Sequence, residues 1–339
     1  MLAPASAGAQ TKDSPQPRIV GGHTADISQY PWQAAVVYSG SGNAHKRQFC
    51  GGSLITSRIV LTAGHCVFDT DPDCFLTCSL NDPGGDGTAK IDPNDVDVVL
   101  GRTTLSDTSQ GAEVGVMATA YQSNYDGDYQ NDGVPRFDAG YLVLNAPSSQ
   151  PQIHMAGTDE GALWDPGSSV EISGWGTTSE SATNTQDTLR AATVDVLNDS
   201  SCSSAYGSDY DPSTMLCAGF QSGGVDTCSG DSGGPLQAPV GGGVYRLVGI
   251  TGWGDGCARA NAPGVYTRVA GPTMRSLIES DVASLESQFG LSAETPGGSG
   301  ATTRTTQLAA NPFAKCKRIH NKKKRKRCVK KAKRRQATG

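Results

Sequence analysis

Beyond residue 18 this chain reads as about a dozen short, β-like apolar runs separated by Gly, Pro, Asn and Asp, the pattern of an all-β sandwich or barrel. Gln33–Tyr38, Ile59–Thr62, Val96–Leu100, Tyr141–Leu144, Val170–Ser173, Val194–Leu197 and Val244–Gly249 are the clearest. The 43 glycines and 36% apolar content among 339 residues fit a turn-rich β protein with one large or two small cores. One segment departs from the strand rhythm: 272–282 has Met274, Leu277 and Ile278 at helical spacing, which predicts a C-terminal helix. No run of about 18 apolar residues is present, so no membrane-spanning helix is expected.

Gly230-Asp231-Ser232-Gly233-Gly234-Pro235 places a serine among small residues, where the backbone can turn tightly and leave the hydroxyl clear. A serine hydroxyl needs a base to take its proton and a third group to orient that base. His65, in Leu61-Thr62-Ala63-Gly64-His65-Cys66, and Asp138, in Arg136-Phe137-Asp138-Ala139-Gly140-Tyr141-Leu142, are the candidates, with Asp132 the fallback for the acid. The order His, Asp, Ser is one of three in which this geometry recurs on unrelated folds. From about residue 19 to about residue 282 the sequence resembles the trypsin/chymotrypsin family of serine endopeptidases. The resemblance is carried by Arg18-Ile19-Val20-Gly21-Gly22, Tyr30-Pro31-Trp32-Gln33, Cys50-Gly51-Gly52-Ser53-Leu54-Ile55, Ser173-Gly174-Trp175-Gly176 and Pro263-Gly264-Val265-Tyr266-Thr267-Arg268-Val269, all in family order.

The resemblance implies two packed antiparallel β-barrels of the chymotrypsin type with a short C-terminal helix and the catalytic groups between the barrels. It implies that Ser232 attacks the carbonyl, His65 moves the proton and Asp138 orients His65. It assigns the oxyanion hole to the backbone N–H groups of Gly230 and Ser232. Asp226 would lie at the base of the specificity pocket, with Trp253, Gly254 and Gly264 around it, giving cleavage of proteins or peptides after Arg or Lys. Cutting after Arg18 would release the Ile19 amine to fold inward and pair with Asp231. The implied disulfides are Cys50–Cys66, Cys202–Cys217 and Cys228–Cys257. The family mechanism needs no cofactor, and a monomer is expected. Three departures stand out: Gly252 replaces a serine that usually supports the catalytic aspartate, Gly64 replaces an alanine, and the motif around Asp138 is loose.

The ten cysteines favour an oxidising compartment, hence secretion. Met1 to Ala9 has small residues like those before a signal-peptidase cut, without a charged start or apolar stretch. The expectation is therefore a leader remnant and propeptide over 1–18, with the true start upstream; export by another signal is the alternative. Cys74 and Cys78, in an acidic, turn-rich insertion over 69–95, either pair with each other or ligate a metal. The insertion over 122–136 carries Asp126-Gly127-Asp128-Tyr129-Gln130-Asn131-Asp132-Gly133, either a solvated loop or a calcium site. Arg102 stands where the resemblance would put the first calcium-ligating glutamate of some members.

The peptidase domain is expected over 19–283, a flexible linker over 284–312 and a basic tail over 313–339. The tail holds 14 of the 28 Lys and Arg and none of the 33 Asp and Glu, so it carries +14 against −19 for the rest of a chain whose net charge is −5. Cys316 and Cys328 bracket its densest part and could bridge it into a hairpin. Such a run is a solubilising arm or an interaction arm, with anionic cell-wall polymers, nucleic acid, membranes or the acidic body as targets; Phe313 and His320 are too few rings for base stacking. An anionic wall would make the protein cell-surface associated. The competing class of function is a binding or adhesion protein that has kept the fold, lost activity and acts through this tail.

Overall fold

The computed structural model describes residues 19–68, 90–125 and 134–294. Arg18, Cys74, Cys78, Asp132 with the 126–133 loop, Cys316, Cys328 and the basic tail lie outside the described residues. Fourteen strands carry the fold: β1 (His23–Thr24), β2 (Gln33–Tyr38), β3 (Gln48–Leu54), β4 (Ile59–Thr62), β5 (Val96–Leu100), β6 (Ala112–Tyr121), β7 (Gly140–Leu144), β8 (His154–Met155), β9 (Ser169–Gly174), β10 (Arg190–Val196), β11 (Met215–Gly219), β12 (Pro235–Gly241), β13 (Val244–Trp253) and β14 (Gly264–Thr267).

The first six long strands close into a barrel in the order β2-β3-β4-β7-β6-β5, with β5 returning to β2. The second barrel runs β10-β11-β14-β13-β12-β9 and closes through β9–β10; β1 adds to β10, and β8 lies parallel to β13. All of these barrel pairings are antiparallel. Closure removes the free sheet edges that would otherwise expose unpaired N–H and C=O groups. Val36, Leu54, Ile59, Leu61, Val98, Leu142 and Leu144 fill the first barrel, and Val170, Ile172, Val194, Leu236, Val248 and Tyr266 the second. Both fillings rest on β-branched and aliphatic residues, which pack well on a pleated surface.

The two barrels meet through polar groups as well as apolar ones. Trp32 Nε1 donates to Gln237 Oε1 (2.7 Å), Gln237 Nε2 to Ser173 Oγ (3.0 Å), and Ser173 Oγ to Gln33 Oε1 (2.6 Å). Trp32 and Gln33 belong to the first barrel, Ser173 and Gln237 to the second, and all four are buried. A closer contact lies beside this relay. A Cβ on Gly51 would sit 3.0 Å from the Gly234 Cα, so the backbones of β3 and the Ser232 loop touch where a side chain cannot fit.

Among the described residues three α-helices complete the fold: α1 (Ala44–Arg47), α2 (Asp199–Tyr206) and α3 (Pro272–Phe289). Pro272 opens α3, where its missing N–H costs nothing, and Gly290 ends it in the left-handed region at φ 62°. The apolar spacing predicts a helix over 272–282; the helix instead continues to Phe289. Met274, Ile278, Val282 and Leu285 share its buried face, so the apolar stripe outlasts the boundary. Beyond it, Glu294 accepts hydrogen bonds from Ser57 N (2.8 Å), Ser57 Oγ (2.5 Å) and Gln152 Nε2 (3.2 Å), tying the end of the described chain to the body. The strand read as Val194–Leu197 likewise begins earlier, at Arg190, because Arg190 to Asp195 pair in register with Gly174 to Ser169.

A methyl group at the seam tests how tightly the barrels are joined. Gly51→Ala should lower the unfolding free energy by about 1–3 kcal/mol in a urea melt, the usual cost of overpacking. An unchanged midpoint and slope would show that the backbones are not in the contact described.

Candidate active site

His65 lies in a single 3₁₀ turn, Gly64–Cys66, that leaves β4, and the Cys50–Cys66 disulfide (Cα–Cα 6.3 Å) pins that turn to β3. Asp138 precedes β7 and is 2% exposed. Its Oδ2 lies 2.8 Å from His65 Nδ1, and its Oδ1 accepts the His65 backbone N–H at 2.9 Å. Both carboxylate oxygens therefore orient one residue. Thr267 Oγ1, on β14 of the second barrel, donates to the Asp138 carbonyl at 2.8 Å. Burial pulls the imidazole pKa down, but the charge of Asp138 and its hydrogen bond outweigh that and leave it raised above its ordinary 6.5.

The two glycine departures next to Asp138 have different causes. A Cβ on Gly64 would meet the Tyr125 ring and Asp138 Oδ1, each at 3.1 Å, so Tyr125 fills the space an alanine would use. Tyr125 packs edge-on with Phe68 and Tyr121 in a ring cluster beside the His65 turn. A Cβ on Gly252 would stand 3.6 Å from Asp138 Oδ2, so this position faces the carboxylate and offers it no hydroxyl.

Four successive carbonyls of the Ser232 loop accept hydrogen bonds, and Gly233 N donates to Thr251 O (2.8 Å). The Ser229 C=O accepts Thr177 N (2.8 Å), Gly230 C=O accepts Gln48 Nε2 (2.7 Å), Asp231 C=O accepts Gly234 N (2.9 Å) and Ser232 C=O accepts Gly51 N (2.7 Å). Asp231 N–H closes a turn onto Cys228 O at 2.9 Å. Among the described residues the N–H groups of Gly230 and Ser232 have no partner. Gly230 has φ 94°, a conformation that L side chains rarely adopt. His65 and Ser232 line one cavity of about 430 Å³, beside which Tyr38 stacks on Phe49.

On the other side of Ser232 a cavity of about 260 Å³ descends to Asp226, and Trp253, Gly254 and Gly264, the residues the resemblance assigns to a specificity pocket, are among those that line it. The Cys228–Cys257 disulfide braces this cavity (Cα–Cα 5.4 Å), and Cys202–Cys217 (6.1 Å) ties α2 to β11. All three predicted pairings that fall on described residues are formed. Asp226 Oδ1 accepts Thr227 N and Oδ2 accepts Ala258 N, both at 2.9 Å. A Cβ on Gly264 would lie 2.7 Å from Asp226 Oδ1, so a side chain there would close the cavity over the carboxylate. Burial raises the Asp226 pKa to about 6.

Asp231 is 1% exposed and points away from Ser232 toward Ser173-Gly174-Trp175-Gly176. Gly176 N donates to its Oδ1 (2.7 Å) and Cys228 N to its Oδ2 (3.0 Å). Hypothetical Cβ atoms on Gly174 and Gly176 would come within 2.2 and 2.4 Å of this carboxyl group. The two glycines are therefore its cradle. Burial raises the Asp231 pKa to about 7. Among the described residues no cation pairs with Asp231 or Asp226. Ile19 is already fully buried in the second barrel's core, with φ 33°, although the sequence reading expects it to move inward only on cutting. Gly21 (φ 77°) lets the chain pass close to Gly224 O, and Val20 bridges to Asp226, so the segment after Ile19 is locked beside the pocket.

Gln48, Thr185 and Tyr125 also shape the site and were not singled out from the sequence. Their partners lie far along the chain, and no local motif marks them. Arg102, considered above in connection with calcium, is buried and donates to the carbonyls of Leu105 (3.2 Å) and Gln110 (3.0 Å), so a guanidinium holds that loop together.

Comparison with known proteins agrees with this geometry. The family model described as Trypsin matches residues 19–277. A trypsin of Saccharopolyspora erythraea is 38% identical over 251 residues, covering 74% of this chain and 93% of that protein. Trypsin-1 of the crayfish Astacus astacus is 34% identical over 258 residues, 74% of this chain and 95% of its own length. A trypsin-like protease of Streptomyces glaucescens is 32% identical over 255 residues, 75% and 79% respectively. With the matched segment spanning both barrels, the chain belongs to the trypsin family of serine endopeptidases.

Proposed function

We propose that this protein is a secreted, trypsin-like endopeptidase that cuts protein or peptide substrates after Arg or Lys, and that cleavage after Arg18 activates it. The observation that carries the reading is the clamp of both Asp138 oxygens on His65, with Ser232 in the same cavity and a buried carboxylate at the base of the next.

Ser232 Oγ attacks the scissile carbonyl carbon while His65 Nε2 takes its proton. The Nδ1–H of His65 is held by Asp138, which fixes the tautomer and stabilises the imidazolium. The carbonyl oxygen becomes an oxyanion and draws on the free N–H groups of Gly230 and Ser232. His65 returns the proton to the leaving amine, and the C–N bond breaks to give an acyl-enzyme on Ser232. Water then attacks the ester, with His65 again as base, and releases the acid and free Ser232. All groups in this sequence are supplied by the protein and water.

Asp226 explains the choice of side chain. A carboxylate already held by two backbone N–H groups, in a cavity that Gly252, Gly254, Gly256 and Gly264 help to keep open, favours a long cationic guest. Its pKa of about 6 leaves it ionised at neutral pH, ready to pair. Asp231 supports the activation step in the same way. A buried carboxyl with a pKa near 7 and no cation among the described residues gains most from a new ammonium nearby. Ile19 at φ 33° adds a second incentive, since a β-branched residue is strained there and cutting the preceding bond frees that torsion. Cleavage of the Arg18–Ile19 bond by the enzyme's own specificity would make activation self-propagating. Three disulfides among the described residues support export to an oxidising compartment, where the basic tail would hold the protein to anionic polymers of a cell surface. A monomer suffices for all of this.

Substrates differing only in the residue before the cut test the pocket. Arg and Lys substrates should exceed Phe and Ala substrates in kcat/KM. Asp226→Asn should remove roughly 30-fold or more of that preference, the cost of deleting one partner of a buried charge pair. For the wild type, kcat/KM on Arg substrates should fall as pH drops, first as His65 gains a proton above pH 6.5 and then as Asp226 does near pH 6. Preference for Phe, or a flat profile down to pH 5, would contradict the assignment.

The activation step has its own measurement. Protein cut after Arg18 should be far more active than uncut protein, and acetylating the Ile19 amine should return it to the uncut level without unfolding it. Full activity after acetylation would refute the pairing with Asp231.

A further inference from the structure

We infer that Gln48 is a positioning residue for the oxyanion hole, holding the Gly230 peptide so that its N–H stays aimed at the reacting oxygen. The inference rests on the peptidase reading above. Four successive carbonyls, Ser229 to Ser232, anchor the nucleophile loop, and three of them are held by backbone N–H groups of Thr177, Gly234 and Gly51. The fourth, on Gly230, is held by a side chain: Gln48 Nε2 donates to it at 2.7 Å and to Cys50 O at 3.1 Å. The loop's other restraints would survive almost any mutation, whereas this one depends on the identity of a single residue.

Gly230 is also where the loop most needs restraint. Its N–H has no partner among the described residues, and its lack of a Cβ leaves both torsions soft. Rotation about either side of its Cα would swing the N–H off the oxyanion. Gln48 fixes the carbonyl side. The other side is crowded by Thr185, whose methyl would lie 2.8 Å from a Cβ on Gly230. His45, three residues before Gln48, lies 2.8 Å from Thr185 O through Nε2. The α1–β3 junction therefore grips Gly230 from two directions.

Gln48 is 7% exposed, and among the described residues its Oε1 has no hydrogen-bond partner. A buried amide that leaves its acceptor unmatched is retained for its donor, since an apolar side chain of the same size would avoid the desolvation cost. Among the described residues the donor's hydrogen bonds go to two carbonyls, those of Cys50 and Gly230. No charge on Gln48 acts on the substrate, so its effect reaches the reaction only through Gly230.

The test compares two ligands on full-length protein cut after Arg18. A peptide ending in boroarginine forms a tetrahedral adduct that uses the oxyanion hole, whereas benzamidine occupies only the Asp226 cavity. Gln48→Met should weaken the boronate and lower kcat by about 10-fold, less than the 10²–10³ lost when an oxyanion donor is removed outright. KM and benzamidine affinity should stay within about twofold of wild type. Gln48→Glu provides a second readout, because only the protonated carboxyl can donate to Gly230 O: its boronate affinity relative to wild type should recover as pH falls, while that of Gln48→Met should not. Wild-type boronate affinity and kcat in both variants would overturn the assignment, as would a parallel loss of benzamidine binding, which would mark a general collapse of the site. A wild-type protein that binds neither ligand would instead overturn the peptidase reading itself.

Discussion

The contact between the backbones of Gly51 and Gly234 is the constraint on which the site depends. The nucleophile loop belongs to the second barrel, but Gly51 N on β3 of the first barrel holds the Ser232 carbonyl at 2.7 Å. The same strand carries Cys50, whose disulfide fixes the His65 turn, and begins with Gln48, which holds Gly230. One strand is thus the common reference for His65, Ser232 and Gly230, the groups proposed as base, nucleophile and oxyanion donor. Thr267 works in the opposite direction, reaching from the second barrel to the Asp138 carbonyl. Catalytic groups placed by backbone bonds and a covalent bridge lose little orientational freedom when a substrate binds, which is where much of the rate advantage of such sites arises.

Around that frame three buried carboxyl groups stand in three electrostatic conditions. Asp138 is paired with His65 and raises its basicity. Asp226 has two backbone donors and open space, with a pKa pushed to about 6. Asp231 has two backbone donors and no space, with a pKa pushed to about 7. Burial without a cation is costly for the last two, so each is a standing demand for positive charge. On the reading advanced above, the substrate meets one demand and the newly formed N-terminus the other. Specificity and activation then share one physical origin, and the isolated bridge between Val20 and Asp226 connects them.

Much of this was legible in the sequence because the family's short words are local. Residues 230–235 mark the loop of the candidate nucleophile, the strand runs with Gly, Pro, Asn and Asp between them point to an all-β sandwich or barrel, and the resemblance supplies the pair of barrels. The reasons behind several words were not legible. Ser173-Gly174-Trp175-Gly176 reads as a strand end, yet its glycines exist to make room for a carboxyl group more than fifty positions away, as the Gly176–Asp231 bond shows. Gln48 meets Gly230 across a separation of 182 residues, and nothing in its neighbours announces that. Gly64 looks like a loosened motif until Tyr125 is seen to occupy its space. The helix end was misjudged because the sequence reading followed Met274, Leu277 and Ile278 but did not carry the stripe on to Leu285. Periodicity finds elements, whereas contacts between distant elements set their limits.

The central claim is that Ser232 is a nucleophile activated by His65. Treating protein cut after Arg18 with diisopropyl fluorophosphate and mapping the adduct by mass spectrometry tests it most directly. One phosphoryl group on Ser232, with the labelling rate falling by orders of magnitude in His65→Ala, is the predicted result. A protein that hydrolyses peptides while Ser232 stays unlabelled, or that labels equally fast without His65, would contradict it.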